Sequence, residues 1–153
     1  LARRLDLKMV GIGLPGHFVV ALIRDRAPPQ YIDVFEGAKL ITRKDAAEIV
    51  RNFAGVPLQD EHLEPADNRA IIVRMLRNLI GISNNNEPPE VVLRYLNTLI
   101  LLEPDSPQEY LNRALMHMRL KQNKKAKADV LWLLEKDSPG FDRQRLTELY
   151  RRL

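Results

Sequence analysis

Hydrophobic and polar positions along this chain follow two periods, and the change from one to the other falls near residue 43. Before it, apolar and β-branched residues come in short runs: Met9–Ile12, His17–Ile23 (HFVVALI), Tyr31–Phe35 (YIDVF) and Lys39–Thr42. Runs of this length between turn formers predict strands. The second run is apolar on both pleat faces and suits a central strand covered on both sides. Gly13–Gly16 reads as a turn, Arg24–Gln30 (RDRAPPQ) as a charged, proline-bearing loop, and Glu36–Ala38 as a turn at Gly37. The strands should therefore form an antiparallel meander, with Leu1–Leu5 as the end of a helix leading into it.

From Thr42 onward the period becomes helical. Thr42 is placed to cap a helix over Arg43–Phe53, with Ala46, Ile49, Val50 and Phe53 on one face and Gly55 and Pro57 ending it. Val56–Glu64 reads as a linker. Five further helices are predicted: Ala66–Ile82, Pro89–Leu102, Pro107–Leu120, Lys124–Lys136 and Phe141–Leu153. Proline stands in the first turn of three of these, where its missing N–H breaks no hydrogen bond.

Within the helical part the sequence repeats. Shifted by 34 residues, Leu76 meets Tyr110, Ile80 meets Ala114, Val92 meets Ala126, Leu96 meets Val130 and Leu99 meets Leu133. That is the tetratricopeptide period. Asn78 meets Asn112, and the tails Leu102–Asp105 and Leu134–Pro139 end the two units alike. Phe141–Leu153 carries Leu146, Leu149, Tyr150 and Leu153 and would cover the open end. The fold class is α+β. Residues 1–56 make a strand-rich part with one helix, 57–65 a linker, and 66–153 two tetratricopeptide-like repeats with a capping helix.

Composition narrows the function classes. The chain has 153 residues, no cysteine and a net charge of +4. Disulfides, thiolate metal sites and a cysteine nucleophile are excluded within these residues. No apolar run approaches the roughly 18–20 residues that span a membrane. An excess of +5 lies in residues 106–153, including Lys121, Lys124, Lys125 and Lys127. No aromatic residues interleave with these lysines as a base-stacking surface requires, so a solvated helix face is expected rather than a nucleic-acid site. The chain starts at Leu1 rather than Met and is read as a fragment; a cytoplasmic location is expected.

Gly11-Ile-Gly13-Leu-Pro-Gly16 matches the dinucleotide pattern G-x-G-x-x-G. That pattern works only where a helix begins at the glycines, and here Pro15 interrupts and a strand follows. No cofactor is expected. His17 and Asp33 carry more chemistry. They flank one loop, and their midpoint, position 25, lies inside it, so they should lie within a few residues of direct opposition. A carboxylate holding one imidazole nitrogen leaves the other free to act as a base. His62 and His117 have no metal-ligand spacing to another histidine, so no metal site is expected. Trp132, Met116 and Met118 sit at packing positions.

The segment Pro15-Gly-His-Phe-Val-Val, followed by Tyr31-Ile-Asp-Val-Phe-Glu-Gly37, resembles the end of a transglutaminase-like core. Together with Arg4-Leu-Asp-Leu, Glu64-Pro-Ala-Asp-Asn68, Met75-Leu-Arg-Asn-Leu79 and the two repeats, it is similar to a bacterial family of transglutaminase-like proteins with a tetratricopeptide tail, sometimes described as invasion-regulator-like. The resemblance implies that His17 matches the histidine and Asp33 the aspartate of a Cys–His–Asp triad, with the nucleophile position preceding Leu1. Val34 stands where the family usually has proline.

Two functions follow as expectations. The first is a scaffold binding a protein or peptide partner, with no membrane or nucleic-acid role. Its groove is lined by Arg74, Arg77, Asn78, Gln108, Leu111, Asn112, Leu115 and Arg119, and Arg77 with Asn78 and Asn112 would grip a peptide carboxylate. The alternative is a cysteine- or serine-dependent amidase or acyl-transferase with His17 as base and Asp33 orienting it. The scaffold is placed ahead because this chain cannot complete a triad by itself.

Overall fold

A two-residue turn at Asp25–Arg26 folds the chain back on itself and sets up the sheet. In the computed structural model, which describes residues 2–83, 87–136 and 140–153, β2 (Val19–Arg24) and β3 (Ala27–Asp33) run antiparallel, with Arg24 opposite Ala27. Arg26, the second of the two turn residues, has a positive φ of 90°. Most of the stretch expected to be a loop from Arg24 to Gln30 is therefore strand. Pro28 and Pro29 are accommodated where the pairing shifts register between Leu22 and Arg24, a bulge in which a missing N–H interrupts little of the ladder.

β1 (Met9–Ile12) pairs with the other side of β2, and β4 (Lys39–Ile41) with the other side of β3, all antiparallel. The order β1-β2-β3-β4 is the meander expected from the strand spacing. No helix starts at Gly11–Gly16; Gly11 lies inside β1, where a Cβ would come within 2.6 Å of the Phe18 ring.

α1 (Arg43–Ala54) begins at the expected cap. Thr42 Oγ1 accepts from the Asp45 N–H, and the Asp45 carboxylate accepts from the Thr42 N–H, a reciprocal capping box. The bonds that the Asp45 carboxylate accepts from the Thr42 N–H and hydroxyl hold it below its ordinary pKa. Gly55, with φ 70°, closes the helix through a bond to the Arg51 carbonyl. Ala46 and Val50 pack with Ile12, Leu14, Val19, Ala21 and Ile41 in one core on a face of the sheet. Phe53, expected on that buried face, is instead exposed. The segment expected to be a linker is folded: Leu58 and Leu63 join the same core around a 3₁₀ turn at Asp60–Leu63. Pro65 and Ala66 then lie along β1, Ala66 donating to the Gly11 carbonyl at 2.8 Å.

The chain divides into two compact units, Leu1–Ile71 and Ile72–Leu153. The second consists of helices: most of α2 (Asn68–Ser83), then α3 (Pro89–Leu102), α4 (Pro107–Arg119), α5 (Asn123–Glu135) and α6 (Arg143–Arg152). α3 packs on α4, α4 on α5, and α5 on α6. Each member of the five residue pairs superposed by the 34-residue shift has the same burial as its mate. Val92 and Ala126, Leu96 and Val130, Leu99 and Leu133, and Ile80 and Ala114 are buried, while Leu76 and Tyr110 are half-buried. α6 presents Leu146 to Ala114, Val130 and Leu133, with Leu149, Tyr150 and Leu153 beside it. The end of the second repeat tail, Asp137–Pro139, lies outside the described residues, as does Leu1 of the leading segment, whose remainder is a 3₁₀ turn at Ala2–Leu5.

Candidate functional site

β2 begins at Val19 rather than His17 because residues 14–17 form a tight turn. The His17 N–H donates to the Leu14 carbonyl at 3.1 Å, Pro15 occupies the second position, and Gly16 the third with φ 76°. Proline then glycine in those positions is the type II signature. Gly16 is also required by space, since a Cβ there would lie 2.6 Å from Phe53 Cβ. The turn leaves His17 just ahead of β2, while Asp33 closes β3. Val20 faces Ile32, so the same register continued by one pair sets Asp33 across from position 19. His17 is two residues further, on the same pleat face and diagonally adjacent.

His17 Nε2 lies 2.8 Å from Asp33 Oδ2. Asp33 is almost completely buried. Its other oxygen, Oδ1, accepts from the Phe35 N–H at 3.0 Å and the Glu36 N–H at 3.3 Å, so one carboxylate orients the imidazole and pins the turn after β3. Burial by itself would raise the Asp33 pKa. The hydrogen bonds from His17, Phe35 and Glu36 outweigh it and hold the group below its ordinary value. An ionised carboxylate can only accept, so Nε2 carries the proton of this bond. The Nδ1 lone pair is then the free one, and it makes no hydrogen bond among the described residues.

Two aromatic rings flank the imidazole. Phe53 stacks on it at 5.4 Å between centroids and 15° between planes, and Phe35 lies at 5.6 Å and 54°. Neither was singled out from the sequence. Phe53 follows the spacing of a core position, and the one local cue for Phe35 is the Asp-x-Phe-Glu-Gly order of a turn pinned by its first residue. His17 and Asp33 open on a cavity of about 260 Å³ lined also by Glu36, Lys39, Asp45, Glu48 and Asn52. Among the described residues, none lining it carries a hydroxyl or thiol. Among the described residues no three His, Cys, Asp or Glu side chains converge as a metal site would need.

In the helical unit, Arg77 and Asn112, expected to grip a peptide carboxylate, are engaged internally. Arg77 bonds Glu103 and, at 3.2 Å, the buried Glu109. Asn112 accepts from Gln108 and approaches Glu109. The structure thus brings Arg77, Gln108 and Asn112 together around Glu109. Asn78 is exposed, Leu111 packs into the core, Leu115 is exposed, and Arg119 lies against the Met116 sulfur. Arg74 is partly buried, which lowers its pKa.

Arg113 escaped the sequence reading. It makes two bonds to the buried Asp129, at 3.0 and 2.6 Å, and a third to Asn97. It also lies over Tyr110, which stacks on Trp132 at 3.7 Å. His62 Nδ1 accepts from the Gln59 N–H, holding a 3₁₀ turn. His117 is buried, bonded to Gln122, and its pKa is lowered chiefly by that burial.

The imidazole of the turn before β2 is thus held by a buried carboxylate at the end of β3, on an antiparallel sheet backed by a helix. Residues 1–77, half of the chain, match the transglutaminase-like superfamily, and the chain belongs to that superfamily.

The chain is 30% identical over 140 residues to a UPF0162 protein of Xylella fastidiosa (strain 9a5c), covering 88% of this chain and 50% of that relative. It is 26% identical over 136 residues to Protein SirB1 of Salmonella typhimurium, with 88% and 51% covered. A UPF0162 protein of Vibrio cholerae matches at 26% over 136 residues, with 88% and 50% covered. The chain spans about half the length of the curated relatives it matches. No solved structure matches it significantly.

Proposed function

We propose that this chain supplies the base half of a cysteine- or serine-dependent acyl-transfer or amide-hydrolysis site, with His17 as base and Asp33 as its orienter. The carrying observation is the 2.8 Å bond between His17 Nε2 and a buried Asp33, beside a cavity that no hydroxyl or thiol of the described residues lines. On this reading the nucleophile comes from residues outside this chain, and the chain alone is inactive. The base takes the nucleophile's proton as it attacks an acyl carbon, and returns it to the leaving amine. The test is labelling of the full-length protein with a thiol-directed acyl probe. Labelling should be lost in His17→Ala and fall in Asp33→Asn; undiminished labelling in His17→Ala refutes the assignment.

A second reading, a protein-interaction scaffold, is supported by the matched burial of the 34-residue repeat. Residues 66–153 are read as two tetratricopeptide-like repeats with α6 as cap, following a core at 1–56 and a short connecting segment at 57–65. The exposed Asn78 and Leu115 remain its contact residues, whereas Arg77 contributes chiefly to holding Glu109. Binding of a C-terminal peptide that is unaffected by Asn78→Ala and Leu115→Ala would refute the groove. A cytoplasmic location belongs to the same reading. No helix among the described residues is long and apolar enough to cross a membrane.

A further inference from the structure

One stripe of α1 faces the His17 site. Asp45, Glu48, Ile49, Asn52 and Phe53 follow the i, i+3, i+4, i+7, i+8 spacing of a single helix face, and all of them line the cavity beside His17 and Asp33. The buried residues Ala46 and Val50 lie on the adjoining stripe. Phe53 therefore belongs to the wall of the site. It is 65% exposed, so its ring gains little from leaving water. The ring lies instead over the imidazole face, at 5.4 Å between centroids and 15° between planes, an offset-stacked arrangement. The root of that ring is fixed as well. A Cβ on Gly16 would meet Phe53 Cβ at 2.6 Å and the Phe53 carbonyl carbon at 3.1 Å, so the turn that carries His17 is seated on the last turn of α1.

We propose that Phe53 is a positioning residue, whose stacked ring fixes the plane of the His17 imidazole so that Nδ1 keeps one direction. The bond from Nε2 to Asp33 holds one nitrogen at 2.8 Å. A single hydrogen bond sets a distance but leaves the ring free to tilt about it, and a tilt swings Nδ1 away. A base must hold its direction within about 10–20°. A flat ring parallel to the imidazole opposes that tilt. Phe35, inclined at 54°, offers no parallel face and cannot take the same role. Nδ1 itself stays open. Every buried side-chain nitrogen and oxygen among the described residues has a hydrogen-bond partner, and Nδ1 has none, so it is not buried. Phe53 thus covers a face of the ring and leaves the acting nitrogen uncovered. The catalytic consequence rests on the acyl-transfer reading; the placement of the ring does not.

NMR of the His17 ring in Phe53→Leu and Phe53→Tyr is the test. Leucine keeps apolar bulk without a flat face, and tyrosine keeps the face. Because Phe53 is exposed, both variants should unfold like wild type. In Phe53→Leu the order parameter of the His17 Cε1–H bond should fall below about 0.6, the flexible range. Its Nε2 proton should exchange with water several-fold faster, and Phe53→Tyr should keep both wild-type values. In the full-length protein, labelling by a thiol-directed acyl probe should have a maximal rate lower by up to about a hundredfold in Phe53→Leu. The half-saturating probe concentration should not change, and Phe53→Tyr should restore the rate. Wild-type ring order and proton exchange in Phe53→Leu overturn the proposal. So does an unchanged maximal rate in Phe53→Leu where His17→Ala abolishes labelling. A loosened ring in Phe53→Leu together with undiminished labelling in His17→Ala upholds the positioning and refutes the acyl-transfer reading.

Discussion

His17 Nε2 donates to a buried Asp33 Oδ2 at 2.8 Å, and the same carboxylate holds the turn that follows β3. The two roles can be separated. Asp33→Asn retains an oxygen for the Phe35 and Glu36 N–H groups but presents N–H rather than O to the imidazole. The proton should move from Nε2 to Nδ1, visible as an inverted tautomer in ¹⁵N NMR of His17, with only a modest loss of stability. Asp33→Ala removes both functions and should cost about 1–3 kcal/mol in denaturant unfolding.

Acid should reveal the same bond. The Asp33 pKa is lower in the folded protein than in the unfolded chain. Its stabilising contribution is therefore complete above the ordinary aspartate value of about 4, and it is lost as pH falls through the lowered folded value. Urea unfolding of wild type and Asp33→Asn should differ by a constant amount from pH 7 to 5. The difference should shrink below about pH 4.

Gly16→Ala should be costly and Gly13→Ala nearly silent. At Gly16 the positive φ disfavours a Cβ by about 1–2 kcal/mol, and that atom would sit 2.6 Å from Phe53 Cβ. At Gly13 no atom lies within 4 Å of an added Cβ. Thermal unfolding separates the two, and ring-current shifts of His17 should report Phe53 moving off the imidazole only in Gly16→Ala.

In the helical unit, ion pairs should differ in worth according to burial. Arg113→Met leaves the buried Asp129 carboxylate without its two bonds and should cost about 3–5 kcal/mol. Adding Asp129→Leu should recover much of that. Arg43→Met, which breaks the exposed pair with Asp60, should change stability by less than about 1 kcal/mol. Chemical unfolding of the four proteins checks the order.

Local chemistry made much of this fold legible. Pro89 and Pro107 in first turns, Thr42 ahead of α1, and Gly55 past it located helix ends close to where they fall, because caps act within a turn of the chain. Proximity of His17 and Asp33 was also readable, since a hairpin brings equidistant residues together whatever its fine register. Arg24–Gln30 was misread because charge and two prolines mimic a loop, and only the bulge opposite Ile23 lets them lie in a strand. Val56–Glu64 looked like a linker because Leu58 and Leu63 are too sparse to show a period.

The chain's own pattern determined the alternation of strands and helices, the repeat, and the identity of the His–Asp pair, all properties of neighbours or of a fixed spacing. The tertiary structure alone decided that Phe53 leaves the core to stack on His17, that Arg77 is bound to Glu103 and Glu109, and that Arg113 clasps Asp129. Those outcomes depend on which side chain arrives from a distant segment, and no local period carries that information.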